Sequence, residues 1–373
     1  MSRLGKVLAI VCVVGAVPAL ALAAAGSCTL RGTWHKLPAA PFPAPRTSVS
    51  LWTGKQLIVF GSEVTANNKW VDRAESYDPA RNAWTRLSPP ASSTYSPGYE
   101  AVWTGKEMLA FGAFHSMAYN PERKTWRMLR YAVPGGITVW TGSEAIGWGG
   151  GCCGDAFASG AAYNPTTDSY RKLSRSPLAP SQEPVGAWNG RELLLFVSGY
   201  DPEGKLWPAR FARGAAYNPA TNKWRRLAPL PNTGLRFATS AVWDGREVLV
   251  PAVGAGARLT YAYSPATNKW RLLAPLPSRR VGATAVWTGT RLVLWGGSGT
   301  SRWATLRDGV AYNPHTNRWA SVPAAPLRAR SNPAVAWTGR DLIVWGGVIG
   351  TPLGTRLPPS FPRDGAAFRA AAR

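Results

Sequence analysis

The chain is poor in the residues that most often carry chemistry. It has three histidines and four cysteines in 373 residues, and 19 acids stand against 43 lysines and arginines. No Gly-rich phosphate loop, Gly-x-Ser-x-Gly elbow or His-Glu-x-x-His run is present. The nucleotide-binding, serine-hydrolase and zinc-protease classes defined by those motifs therefore have no foothold. Past residue 25 no segment is long and apolar enough to span a bilayer.

The deficit of acids leaves a net charge of +24, and a chain this basic is drawn to polyanions by its summed field. The N-terminus bears on which polyanion. Arg3 and Lys6 precede an apolar stretch from Val7 to Ala25 that ends in small residues, the layout of a signal peptide. Residues 1–27 are expected to be that signal, and 28–373 a single domain secreted or held at the cell surface or in the periplasm. Anionic polysaccharide, a cell-wall polymer, lipid headgroups or a protein then become the expected partners, rather than specific nucleic acid. The plainer reading, charges as solvated decoration of outer strands, stays open. Ala25-Gly26-Ser27-Cys28 resembles a bacterial lipobox, which would lipidate Cys28. Ordinary cleavage near Ala23 or Ala25 is the alternative, and membrane association is expected only through the signal or that lipid.

What the chain has in abundance is repetition. Trp52, Trp103, Trp140, Trp188, Trp243, Trp287 and Trp337 each precede a turn glycine: Gly54, Gly105, Gly142, Gly190, Gly245, Gly289 and Gly339. A second signature follows at Tyr77, Tyr119, Tyr163, Tyr217, Tyr263, Tyr312 and Phe368. The sixth unit reads as four strands. Ala283 to Trp287 and Arg291 to Trp295 flank a glycine turn, Gly309 to Tyr312 ends at Asn313-Pro314, and Trp319 to Val322 completes the set. Fourth-strand aromatics follow at Trp84, Trp126, Tyr170, Trp224, Trp270 and Trp319, and the seventh unit ends without one. Thr33-Trp34-His35-Lys36-Leu37 supplies it from the other end of the chain, matching the spacing of Thr125 to Leu129. The ring is expected to close through this strand, removing an exposed sheet edge.

With Gly149-Gly150, Gly296-Gly297 and Gly346-Gly347 after second strands, the chain resembles a bacterial kelch-repeat β-propeller of the galactose-oxidase superfamily over about residues 33–368. The resemblance implies an all-β, seven-bladed propeller of four-stranded antiparallel blades, expected to be a monomer. It also implies that the loops after second strands share a face around the channel with the blade-to-blade connections. Galactose-oxidase-like members hold copper with two histidines and two tyrosines. Here His35 and His315 fall away from that face and leave His115 alone on it, so no metal or other cofactor is expected.

Function is therefore sought in exceptions to the repeat. Trp70, Trp207 and Trp303 are the tryptophans outside repeat positions, all in variable loops, and suit stacking on a sugar or a peptide side chain. The alternative is that they plug gaps beside neighbouring blades. Arg46, Arg236, Arg280 and Arg330 stand six or seven residues before the first-strand tryptophan, at the channel side, where guanidinium groups could clamp a carboxylate or sulfate. Pairing with loop acids such as Asp72, Glu183, Asp308 or Asp364 is the alternative. Cys152-Cys153 reads as a vicinal disulfide rather than a metal site. The function expected is a binding module for an anionic or carbohydrate ligand or a protein partner. A metal-free carbohydrate enzyme, such as a sugar epimerase or lyase, using the same face is the alternative.

Overall fold

The structure, a computed structural model, describes residues 29–45, 47–65, 67, 69–90, 98–151, 155–198, 212–231, 235–238, 240–254, 258–299, 305–350 and 359–371. Seven antiparallel sheets are arranged in a ring. Blade one consists of Thr47–Trp52, Leu57–Val64, Trp70–Asp78 and Ala83–Leu87, from the channel outwards. The innermost strand of every blade touches those of both neighbours, and that of blade seven, Ala334–Trp337, touches that of blade one. The protein is a closed seven-bladed β-propeller.

Closure is made as the sequence indicates. Gly32–Lys36 pairs antiparallel with Gly365–Ala370 as the outer strand of blade seven, setting Trp34 opposite Phe368. The Trp34 indole donates to the Pro323 carbonyl of blade six at 2.9 Å and packs on Phe368 at 5.3 Å between ring centres. The strand thus bridges the last two blades as well as completing one.

Each signature residue has a mechanical role. After the first-strand tryptophan a short side-chain oxygen caps the turn: Thr53 Oγ1 accepts from Gln56 N at 3.0 Å, and Asn189 and Asp244 do the same for Glu192 and Glu247. The next residue must be glycine, since Gly54 has φ +90° and open space around it. At the far end of the third strand the Tyr312 hydroxyl donates to Asn317 Oδ1 at 2.8 Å, and Asn317 sits at φ 50°, a conformation asparagine tolerates. That same Asn317 oxygen accepts from Ala274 N of blade five at 2.9 Å, and the Trp319 indole donates to the Ala274 carbonyl at 3.0 Å. Tyr217, Asn222 and Trp224 stitch blade four to Ser174 in the same way. Trp34, Trp84, Trp224, Trp270 and Trp319 are therefore inter-blade staples, whereas the Trp126 indole N–H of blade two has no partner among the described residues.

Blade five departs from the pattern. Its inner strand is split into Leu235–Ala238 and Val242–Trp243, both paired with Val248–Gly254. The break lies opposite Val250 and Pro251, where proline offers no N–H to a ladder.

Candidate functional site

The channel-side arginines have distinct placements. Arg280 and Arg330 are 1% and 0% exposed. Arg280 donates to the carbonyls of Gly296 and Asp308 at 3.1 and 3.0 Å and to Asp308 Oδ1 at 2.9 Å. Arg330 does the same in blade seven, to Gly346 O at 3.0 Å and Asp364 Oδ1 at 2.8 Å. Of the two readings left open by the sequence, pairing with loop acids is the one these two residues adopt. Each clamps the double-glycine turn after the second strand to the acid that opens the third. The glycines are required because a Cβ on Gly297 would come within 2.9 Å of the Ala283 nitrogen and the Val281 carbonyl.

Arg236 lies on Leu235–Ala238, and its side chain is outside the described residues. Arg46, Trp207, Trp303, Cys28, Cys152 and Cys153 lie outside them altogether. Trp70 opens the third strand of blade one, half-buried, with Val64 as its strand partner. The structure does not bring it together with Arg280 or Arg330.

A different group converges on the loop face between blades one and two. Ser62 and Asp72 stand near the two ends of the blade-one loop, and Tyr99 opens the inner strand of blade two, Tyr99–Trp103. His115 immediately precedes the third strand, Ser116–Asn120. His115 Nε2 lies 2.9 Å from Asp72 Oδ2 and 2.5 Å from the Tyr99 hydroxyl. Ser62 donates to Asp72 Oδ1 at 2.7 Å. Asp72 is almost wholly buried, and the His115 side chain is 9% exposed. Both partners approach one imidazole nitrogen, while the buried Nδ1 has no hydrogen-bond partner among the described residues. The cluster contains an imidazole, a carboxylate, a phenol and a hydroxyl, the side-chain types that move protons.

Two carboxyl groups nearby are held in unusual states. Glu100 follows Tyr99 on the inner strand, and burial pushes its pKa up to about 7. Glu75 is buried on the opposite side of blade one, and burial pushes it up to about 8 against the backbone N–H of Phe42, which hydrogen-bonds it at 3.3 Å. A cleft of about 400 Å³ lies close by, lined by Phe42, Arg73 and Arg86 among others. Both guanidinium groups lie over the Phe42 ring, at 4.6 and 4.5 Å.

The three histidines do not converge. His35 is on the closing strand and His315 in an outer turn. Among the described residues no group of three or more His, Cys, Asp and Glu could hold a metal ion. The donors present do not fit a two-histidine, two-tyrosine copper site.

A second cleft, about 440 Å³ and open to solvent, lies at the outer rim between blades three and four. Arg175, Lys223, Arg226 and Trp224 line it with Ser174 and Asn222. Sequence reasoning missed it. A signal exists at Arg175, which stands where blades one, four and five carry Pro89, Pro229 and Pro275.

No family model matches the sequence, and no curated relative does. Among solved structures the fold is similar to that of a novel fungal alcohol oxidase of the AA5 family, solved in complex with copper. The TM-score is 0.67 at 13% identity, over 91% of this chain and 76% of that one. At that identity the likeness is one of fold.

Proposed function

We propose that the protein is an exported kelch-type propeller that binds an anionic polymer, polysaccharide foremost, rather than one that turns over a substrate. The observation that carries this reading is how its carboxylates are used. Among the described residues, nine of them pair with arginine: Glu63, Asp78, Glu107, Glu144, Glu192, Glu247, Asp308, Asp341 and Asp364. With 19 acids against 43 cations, the remaining positive charge has too few internal partners. Such a surplus draws in polyanions through its summed field.

The loop face remains the proposed contact surface, with Arg46, Arg236, Trp70, Trp207 and Trp303 its candidates. The cluster of His115, Asp72, Tyr99 and Ser62 favours a second reading, a metal-free carbohydrate enzyme at the same mouth. Thermal shift against sulfated, uronic and neutral glycans tests both. Stabilisation by acidic glycans alone supports the binder, and stabilisation by none of them overturns it. Turnover of a stabilising glycan, lost in His115→Phe, would establish the enzyme instead. Arg236→Ala should weaken any loop-face ligand; unchanged binding removes that residue from the site.

A further inference from the structure

We infer that the rim cleft between blades three and four is a binding site for a sulfate- or carboxylate-bearing polysaccharide. The inference rests on the polyanion reading above and adds a place and a recognition chemistry that lie away from the loop face.

The floor of the cleft is fixed by the repeat itself. The Trp224 indole donates to the Ser174 carbonyl at 2.9 Å, and its ring packs on Tyr217 at 4.9 Å. Asn222 Oδ1 accepts from both the Tyr217 hydroxyl and Ser174 N. Trp224 is therefore held in one orientation, half-buried, and borders the opening. An indole presented this way offers an apolar surface for a sugar ring without a loss of side-chain freedom on binding.

The walls are cationic and unpaired. Arg175, Lys223 and Arg226 are all exposed, and none has an ion-pair or hydrogen-bond partner among the described residues. Their neighbours show what pairing looks like in this fold. Arg225, adjacent to Arg226, is bound by Glu192 through two bonds at 2.9 and 2.6 Å. Arg171 in blade three is held likewise by Glu144. Alternation along the outer strand thus sends one of two successive arginines to a scaffold carboxylate and the other into the cleft.

The scaffold tolerates non-cationic residues at the Arg226 position. Blades two and five carry Met128 and Leu272 there, 53% and 59% exposed, and blade six carries Ser321, while blades one, three and seven carry Arg86, Lys172 and Lys36. It needs no cation at Arg175, where three other blades have proline. Two positions free to vary have both become arginine on the two walls of one cleft, beside Lys223. Three cations around a single aromatic, on a surface open to solvent, suit one or two charged sugar rings of an extended polymer. A nucleic-acid duplex would require a longer basic track.

The test is a titration of the full-length secreted protein with dextran sulfate, a polyuronate and a DNA duplex at fixed ionic strength. Three proteins are compared: wild type, Arg175→Ser/Lys223→Ser/Arg226→Ser, and a control carrying Lys55→Ser/Lys106→Ser/Arg340→Ser. The control removes the same charge from exposed turns in three separate blades. Far-ultraviolet circular dichroism and melting temperature establish that all three fold. The inference expects at least a tenfold loss of dextran sulfate or polyuronate affinity in the cleft variant and less than threefold in the control. Equal losses in both variants would overturn the cleft while leaving the polyanion reading in place. Absence of polysaccharide binding by the wild type would overturn both. Duplex binding at least as tight as the polysaccharides, and lost in the cleft variant, would overturn the ligand class.

Discussion

Blades six and seven and blade two solve the same local problem in opposite ways. In these three, the residue just before the third strand sits on the loop face and is anchored by a side chain. Blades six and seven place Asp308 and Asp364 there and hold them with a buried arginine from the same blade. Blade two places His115 there and holds it partly with Asp72 of the neighbouring blade. The first is a clamp within a blade and strengthens the scaffold. The second is a bridge between blades, built from groups that exchange protons, and it leaves one imidazole nitrogen without a partner among the described residues. Regular blades thus carry structure, and departures from the repeat mark where function is to be sought.

The largest loss of stability is expected at a clamp. Arg280→Ala removes the guanidinium donor from the Gly296 carbonyl, leaves the Asp308 carbonyl with the Gly296 N–H alone, and opens a cavity. Chemical unfolding should register a loss of about 3 kcal/mol. Lysine should not rescue it, because its ammonium cannot reproduce the fork that reaches both carbonyls and the carboxylate.

Glu75 of blade one and Glu100 of blade two should give the protein's stability a pH dependence. The folded pKa of Glu75 is about 8, raised from 4.5, so the folded state binds this proton more tightly than the unfolded chain does. Stability from the protonated form is complete below about pH 4.5 and lost as pH rises towards 8, and Glu100 contributes in the same direction. Unfolding at pH 5 and pH 8 should show wild type losing on the order of 2 kcal/mol more than Glu75→Gln, whose amide is neutral throughout. An identical slope in the variant would remove Glu75 as its source.

Breaking the bridge should have a smaller effect. Tyr99→Phe deletes a buried hydroxyl bonded to His115 and Asp72 and should lower stability by about 1–2 kcal/mol, seen as a lower melting temperature. If His115 also serves chemistry, the same change would shift the pH profile of any glycan turnover. Smallest of all is Arg127→Ala at the partly exposed pair with Glu107, 2.6 Å apart. Its effect on unfolding should stay below about 1 kcal/mol.

The architecture was legible because every signature residue performs a local task that recurs. Trp-Thr-Gly marks a capped turn, Tyr with Asn five residues later marks a locked one, and Trp34 announces its partner Phe368 by spacing alone. The sites were less legible. Spacing located Arg280 and Arg330 at the channel side but could not tell a side chain folded under its own loop from one facing a ligand. The clue was Asp-Gly at 308–309 and 364–365 in those same two blades. The bridge joins residues from Ser62 to His115 across two blades, a proximity that only ring closure and blade twist create. The rim cleft was hidden for a simpler reason. Its tryptophan is a repeat residue, set aside as architecture, although one face of an architectural residue can still border a site.

Among the described arginines, Arg280 and Arg330 are built into the scaffold, and Arg175 and Arg226 are proposed to meet a ligand. Equilibrium urea unfolding of Arg330→Ala beside Arg226→Ala tests that division most directly. The first should lose about 3 kcal/mol through its lost hydrogen bonds and the cavity it leaves, and the second should remain within about 0.5 kcal/mol of wild type. Equal losses, or a neutral Arg330→Ala, would contradict it.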